Sequence, residues 1–389
     1  MADEVLEVEK SQPWQTSTQV SLGRGFATLL PPDIAAPFQL RTASEPIRTY
    51  RLRDVVLDAS IMALVRDTLL IPETLYMVSG GDFAHALTKS RTLEPTDPNQ
   101  HYIVAVNRTF RNYYHWTTQI LPAIDWGVRN RRQSRLTLLL PPLQPRQEEM
   151  LGLLGYADVP RLTLTLHANY ALASAEYSEF LGARMPGLVS TAAAATFARL
   201  RDTVPPAIDG PREIYIARTD ATRRPLLNEA ELIDLLERQG VSVIAPGTLP
   251  VTRQIALFRR ARLIIGPHGA GLTNIGFCEP GSHVYELLCS HYPNISFNRI
   301  AQTAGVNYWA DMFAGEAGGI AQEQPWRVDL DVVAARLDAI RAHMAATMQP
   351  ESAMEFLRQN AAQVNAAAPR HPIAPPARRG FLRRLFGRS

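Results

Sequence analysis

From about residue 101 the chain alternates between short unbroken apolar runs and stretches whose apolar positions recur every three to four residues. The first kind reads as buried strands and the second as amphipathic helices. Strands are predicted over 102–106, 135–140 and 161–166, with helices near 113–121 and 147–154 between them. After the Pro-rich break Val204-Pro205-Pro206-Ala207-Ile208-Asp209-Gly210-Pro211 the alternation resumes. There it gives strands over 213–217, 241–244, 262–265 and 283–288, and helices over 228–239 and 251–260. Strands alternating with helices imply parallel α/β sheets. Asn228 with Glu231 suggests a capping box, and Gly240 stands where a helix C-cap glycine belongs.

Residues 1–100 read differently. They are rich in Pro, Thr and Ser around short apolar runs such as Val55-Val56-Leu57 and Leu75-Tyr76-Met77-Val78, which suit short strands and turns. The predicted class is α/β: two Rossmann-like domains, 101–205 and 206–345, behind a strand-rich segment 1–100. Residues 346–389 form a last helix, an Ala/Pro linker and a basic amphipathic tail. In that tail Phe381, Leu382, Leu385 and Phe386 share one helical face opposite arginines. Such a tail either lies on an anionic membrane surface or is a plain solvated terminus.

Composition narrows the function classes. A chain of 389 residues with 46% hydrophobic residues holds two cores, and a formal net charge of +3 is too mild for a nucleic-acid partner. Two cysteines, Cys278 and Cys289, make no disulfide framework or C-x-x-C metal motif. The acidic N-terminus lacks the apolar core of a secretory signal, and no run of about 18 apolar residues occurs. A cytoplasmic protein is expected, peripheral on the inner face of the membrane if the tail binds there. The sequons at Asn107 and Asn294 are then chance matches.

The densest chemical signal is Ile264-Ile265-Gly266-Pro267-His268-Gly269-Ala270-Gly271-Leu272-Thr273-Asn274, a glycine-rich turn between a buried strand and a predicted helix. Glycines let a backbone come close to a ligand, and amides at a helix start favour phosphate. The spacing is neither G-x-G-x-x-G nor a P-loop. His268 is placed for a diphosphate contact, although a histidine alone is more often structural. Glu286, one acid in an apolar strand, either accepts ribose hydroxyls or pairs with an arginine. Arg218, with Arg223 and Arg224 after it, leaves the neighbouring strand at the same edge, where guanidinium groups bind phosphate bidentately.

In the first half, Asn112-Tyr113-Tyr114-His115-Trp116 opens a helix with Asn112 as N-cap. His115 suits proton abstraction from a sugar hydroxyl, and the rings of Tyr114 and Trp116 suit sugar faces, so these with Asn112 form the acceptor-side set. The competing reading is a buried histidine packing an interdomain wall. Asp125 is the second choice of base. Asp329-Leu330-Asp331 has D-x-D spacing but precedes a predicted helix over 332–344, so capping is the preferred reading and no obligatory metal is expected.

At these residues the sequence resembles glycosyltransferase family 61, which includes bacterial capsular polysaccharide biosynthesis proteins. The resemblance runs from Arg218 through 228–288, with Gln254-Ile255, Ala261, the turn 266–274, Phe277, Gly281 and Glu286, and is joined by Asn112 and His115-Trp116. It implies a GT-B-like pair of domains, an inverting mechanism, a nucleotide-sugar donor (a UDP-sugar first) held by the C-terminal half, and a glycan acceptor. Two other classes bear weighing. A hydrolase needs a G-x-S-x-G elbow, which the sequence lacks. A non-catalytic nucleotide-sugar-binding assembly protein would bind nucleotide without transferring sugar.

Overall fold

The computed structural model describes residues 2–10, 18–39, 46–81, 92–130, 135–182, 190–218, 223–315 and 323–347. The basic tail lies outside them. The fold is mixed α/β, built on two sheets.

The first sheet has nine strands. Its main path is β5 (Leu69–Leu70), β4 (Ala63–Arg66), β3 (Ile47–Asp58), β10 (Asn169–Ser178), β7 (His101–Val104), β8 (Leu136–Leu140) and β9 (Arg161–Thr163); β1 (Glu4–Glu9) pairs with β3 and β6 (Leu93–Glu94) with β10. Strands β10, β7, β8 and β9 are parallel, as the alternating pattern implies. The antiparallel part comes from the N-terminal segment, where β3 runs twelve residues beside β10 rather than as a short strand. Leu75-Tyr76-Met77-Val78 is not a strand: it leaves a 3₁₀ turn, Pro72–Thr74, and Met77 takes a left-handed φ of 52°, away from extended backbone.

The second sheet is wholly parallel, in the order β12 (Ser242–Ile244), β11 (Glu213–Ile216), β13 (Leu263–Pro267), β14 (His283–Cys289), β15 (Asn307–Phe313), β2 (Val20–Leu22). Strand β2 brings the N-terminal segment into this sheet too, so residues before 100 are divided between the sheets. Successive strand residues face opposite layers. Ile214, Ile264, Val284 and Tyr308 pack on one side with the helices Val251–Arg260 and Ser296–Ala304. Tyr215, Ile265, Tyr285 and Trp309 pack on the other with Glu229–Arg238 and Leu330–Thr347. From β11 the chain goes outward to β12 and then returns past it to β13. The topological switch point, where open α/β sheets bind ligands, therefore lies between the carboxyl ends of β11 and β13.

Local signals held unevenly. Gly240 does take the left-handed φ of 80° that favours glycine after a helix. Asn228 does not cap its helix. Its side chain accepts from Val328 N at 3.1 Å and donates to Val328 O at 2.9 Å, because clamping a passing extended segment satisfies both ends of the amide. Asp329 caps the last helix, its Oδ1 accepting from Asp331 N and Val332 N at 3.0 and 3.2 Å. After the glycine turn comes a 3₁₀ helix, Ala270–Phe277, instead of the expected α-helix. Leu272 and Ile275, three apart and fully buried, share a face under the 3₁₀ period.

The helix Thr191–Thr203 lies against both halves, with Phe197 on Phe277 at 5.1 Å between ring centroids. One continuous apolar layer thus joins the two sheets. A polar clasp reinforces it. The helix Val251–Arg260 has Pro250 at its N-cap and no cap of its own, and the Glu149 carboxylate from the helix Pro145–Leu153 accepts from Val251 N and Thr252 N, both at 2.9 Å. A carboxylate on orphan amides at the positive end of a helix is doubly favoured. Glu149→Ala is expected to cost about 1–2 kcal/mol, read as a lower urea midpoint with an unchanged slope.

Candidate functional site

Gly266 pairs with Glu286 in register, and His268 follows one turn later with its amide donating to Leu287 O at 3.0 Å. That register sets the His268 ring over the Glu286 side chain, Nδ1 to Oε1 at 2.5 Å, while Tyr308 on β15 donates to Oε2 at 2.6 Å. Glu286 is fully buried and both its oxygens are occupied. It orients His268 and does not face a ribose, in place of the sugar contact the sequence suggested. Burial lowers the His268 pKa, and the Glu286 carboxylate opposes that shift.

The arginines converge on the same turn. Arg218 donates from Nη1 to His268 O and from Nη2 to Arg223 O at 3.0 Å. Its guanidinium lies so close to Gly269 that a Cβ there would stand 3.0 Å from Nη1. Gly266 and Gly271 press on Ile216 in the same way, a Cβ on Gly271 falling 2.9 Å from Ile216 Cγ2. These glycines seat the turn on the end of β11, and the half-exposed Ala270 and Gly271 form its outer rim. Arg224 donates to His268 O at 3.3 Å and lies 4.6 Å over the Tyr292 ring. Its Nε is buried without a partner, it forms no ion pair among the described residues, and burial lowers its pKa. A desolvated cation short of an acceptor is able to take an anion. Arg223 is exposed beside it.

The first sheet supplies the opposite wall. Asn112 is the N-cap foreseen, its side chain accepting from Tyr114 N at 2.9 Å. After one α-turn, Tyr113–His115, the helix widens into a π-turn, Trp116–Ile120, before Leu121–Arg129. Thr117 and Thr118 bond back to Tyr113 O and Tyr114 O, and Pro122 supplies no amide to the ladder, which favours the wider winding. The π-turn carries Gln119, whose Oε1 lies 3.1 Å from His115 Nδ1; the Tyr76 hydroxyl lies 3.2 Å from the same nitrogen. Burial lowers the His115 pKa, keeping the ring neutral near pH 7.

The two walls meet through aromatic rings. His115 packs on Tyr114 at 5.1 Å, Tyr114 on Phe297 at 5.8 Å, and Phe297 on His268 at 4.8 Å. Beside them the Tyr113 hydroxyl donates to Asn274 Oδ1 at 2.6 Å, and Asn274 Nδ2 donates to Gln254 and Gly271 O. The fold therefore links His115, Arg218, Arg224, His268 and the turn 266–271 in one cluster of contacts.

Other residues singled out in the sequence serve the frame. Trp116 is 1% exposed and packs in the core, so its ring is closed to a sugar. Tyr114 is held between His115 and Phe297. Thr273 and Asn274 are fully buried, pointing into the interior instead of toward a donor. Asp125, 2% exposed, lies in a separate cluster: Tyr156 donates to it at 2.5 Å, Thr196 at 2.9 Å, and Arg199 forms an ion pair with it. A carboxylate so engaged is not a free base. Sequence reading passed over Tyr76, Asn107, Gln119, Tyr292 and Phe297. Only Gln119, four residues after His115 on an expected helix, left a legible signal.

A family model described as Glycosyltransferase 61 matches residues 113–285, which takes in His115, the arginines and the glycine turn. Over 100 residues the chain is 35% identical to the EGF domain-specific O-linked N-acetylglucosamine transferase of Drosophila melanogaster. That alignment covers 25% of this chain and 19% of the fly protein, so the chain spans less than a fifth of that relative's length. Residues 113–285 are thus similar to glycosyltransferase 61.

Removing one partner from a buried, paired cluster leaves the other uncompensated. Asp125→Ala is expected to cost about 3–5 kcal/mol in chemical denaturation, marking a stability residue. A variant of near-native stability with lost turnover would return Asp125 to the catalytic set.

Proposed function

We propose that the chain transfers a sugar from a nucleotide donor to a hydroxyl of a glycan acceptor. The carrying observation is Arg224: a half-buried guanidinium at the switch point, stacked on Tyr292, with an unpartnered Nε and no ion pair among the described residues. A diphosphate supplies the charge and acceptors this group lacks, and Arg218 on the same turn adds a second cation.

In the step proposed, an acceptor hydroxyl attacks the anomeric carbon, the bond to the diphosphate breaks, and His115 takes the hydroxyl proton. Charge grows on the leaving diphosphate, where Arg218 and Arg224 stabilise it without reorganising. A single displacement inverts the anomeric centre. Two guanidinium groups do the neutralising that a divalent ion does elsewhere, so no obligatory metal is proposed. The two sheets would act as a GT-B pair of Rossmann-like domains, the second holding the donor. A UDP-sugar is the donor proposed, and N-acetylglucosamine, named in the fly relative, is the first sugar to test. The setting proposed is surface or capsular polysaccharide synthesis in the cytoplasm, with the tail at 381–389 on an anionic inner membrane face.

UDP at about 100 times its dissociation constant is expected to stabilise the protein by roughly 2.7 kcal/mol in a thermal-shift assay, an effect lost in Arg224→Ala. No stabilisation by any of UDP, GDP or CMP in folded protein sinks the proposal. His115→Ala is expected to lower kcat by about 10²–10⁴-fold with nucleotide affinity unchanged. Because burial lowers the His115 pKa and a base works unprotonated, kcat/KM should hold as pH falls through the ordinary histidine value near 6.5, dropping only below it.

A further inference from the structure

Three carboxamide and hydroxyl groups behind His115 form an ordered chain that begins at a backbone amide. Asn107 leaves the end of β7, and its Oδ1 accepts from Thr109 N at 3.1 Å and from Thr109 Oγ1 at 2.9 Å. A backbone N–H only donates, so Asn107 Oδ1 is fixed toward Thr109 and its Nδ2 faces the other way. There it donates to Gln119 Oε1 at 3.0 Å. This fixes the second amide in turn: Gln119 Nε2 points to the Tyr76 hydroxyl at 3.4 Å, and Oε1 also faces His115 Nδ1 at 3.1 Å. An amide oxygen only accepts, so the contact with Gln119 calls for a hydrogen on His115 Nδ1, whereas donation from the Tyr76 hydroxyl, 3.2 Å from the same nitrogen, calls for a bare one; the shorter amide contact favours Nδ1–H. Asn107, Gln119 and Tyr76 are 2%, 4% and 3% exposed, which keeps water from breaking the order.

We propose that Asn107 and Gln119 are positioning residues that lock His115 in its Nδ1–H tautomer, leaving the Nε2 lone pair as the atom that accepts the acceptor's proton. This rests on His115 acting as the base. The orienting partner is an uncharged amide, so it selects the tautomer without adding the negative charge that would draw a second proton onto the ring. It also accounts for the burial of Asn107 in the Asn107-Arg108-Thr109 turn: Asn107 is committed to Thr109 and Gln119 and is closed to modification.

The test reads the tautomer directly. In protein labelled with ¹⁵N-histidine, two-bond proton–nitrogen spectra at pH 7.5 distinguish the hydrogen-bearing ring nitrogen from the bare one, and loss of one signal set in His115→Gln assigns His115. The wild type is expected to show a protonated Nδ1 and a bare Nε2. Asn107→Asp offers Gln119 an acceptor, so the Gln119 amide turns over, presents Nε2 to His115, and the ring is expected to change to Nε2–H, with kcat down at least about tenfold and nucleotide affinity kept. Gln119→Glu retains the acceptor and is expected to keep Nδ1–H, even if Asn107→Asp does not fold. A bare Nδ1 in the wild type, or loss of Nδ1–H in Gln119→Glu, overturns the relay. If Asn107→Asp changes the tautomer and turnover is untouched, the relay stands and the assignment of His115 as base falls.

Discussion

The apolar layer shared by the two sheets is the constraint on which the site depends. Phe197, on a helix lying between the halves, meets Phe277 on the glycine-turn side, and residues of both sheets pack into the same continuous core. Neither sheet edge could hold a catalytic geometry alone. His115 and His268 follow strands of different sheets, and the packed row His115, Tyr114, Phe297, His268 helps to fix one against the other. Close-packed interiors move in discrete steps, so such a row transmits position well. The Glu149 clasp and the Tyr113 to Asn274 bond add direction to what the apolar contacts supply in energy.

Charge is distributed unevenly around this frame. The buried acids are satisfied: Glu286 by His268 and Tyr308, and Asp125 by Tyr156, Thr196 and Arg199. The basic side is left short, with Arg224 half-buried and its Nε unmatched. Under the proposed function an anion would supply what that guanidinium lacks. Both histidines of the site present Nδ1 to an oxygen acceptor, a carboxylate for His268 and an amide for His115. The difference matters because a carboxylate stabilises the imidazolium, whereas an amide fixes only the tautomer.

The sequence by itself determined many of the α/β elements after residue 101, since period and run length follow directly from which faces are buried, but it missed β10, β15 and the helices Thr191–Thr203 and Ser296–Ala304. It also marked the glycine turn and the arginines beside it, because strand ends share an edge in a parallel sheet and Gly269 has no side chain to hold Arg218 away. Asn112, Gly240 and Asp329 were readable as caps, for capping is local. What only the tertiary structure decided is which polar side chains remain open to a ligand. Glu286 and Asp125 carry the right groups but are used up by partners distant in sequence, Trp116 and Thr273 are shut inside the core, and a one-dimensional pattern contains neither outcome. The same holds for Tyr76, Tyr292 and Phe297, brought to His115 and His268 by chain crossings. Strands β2 and β3 went to different sheets for a related reason: strand pairing is chosen by long-range register and not by local propensity.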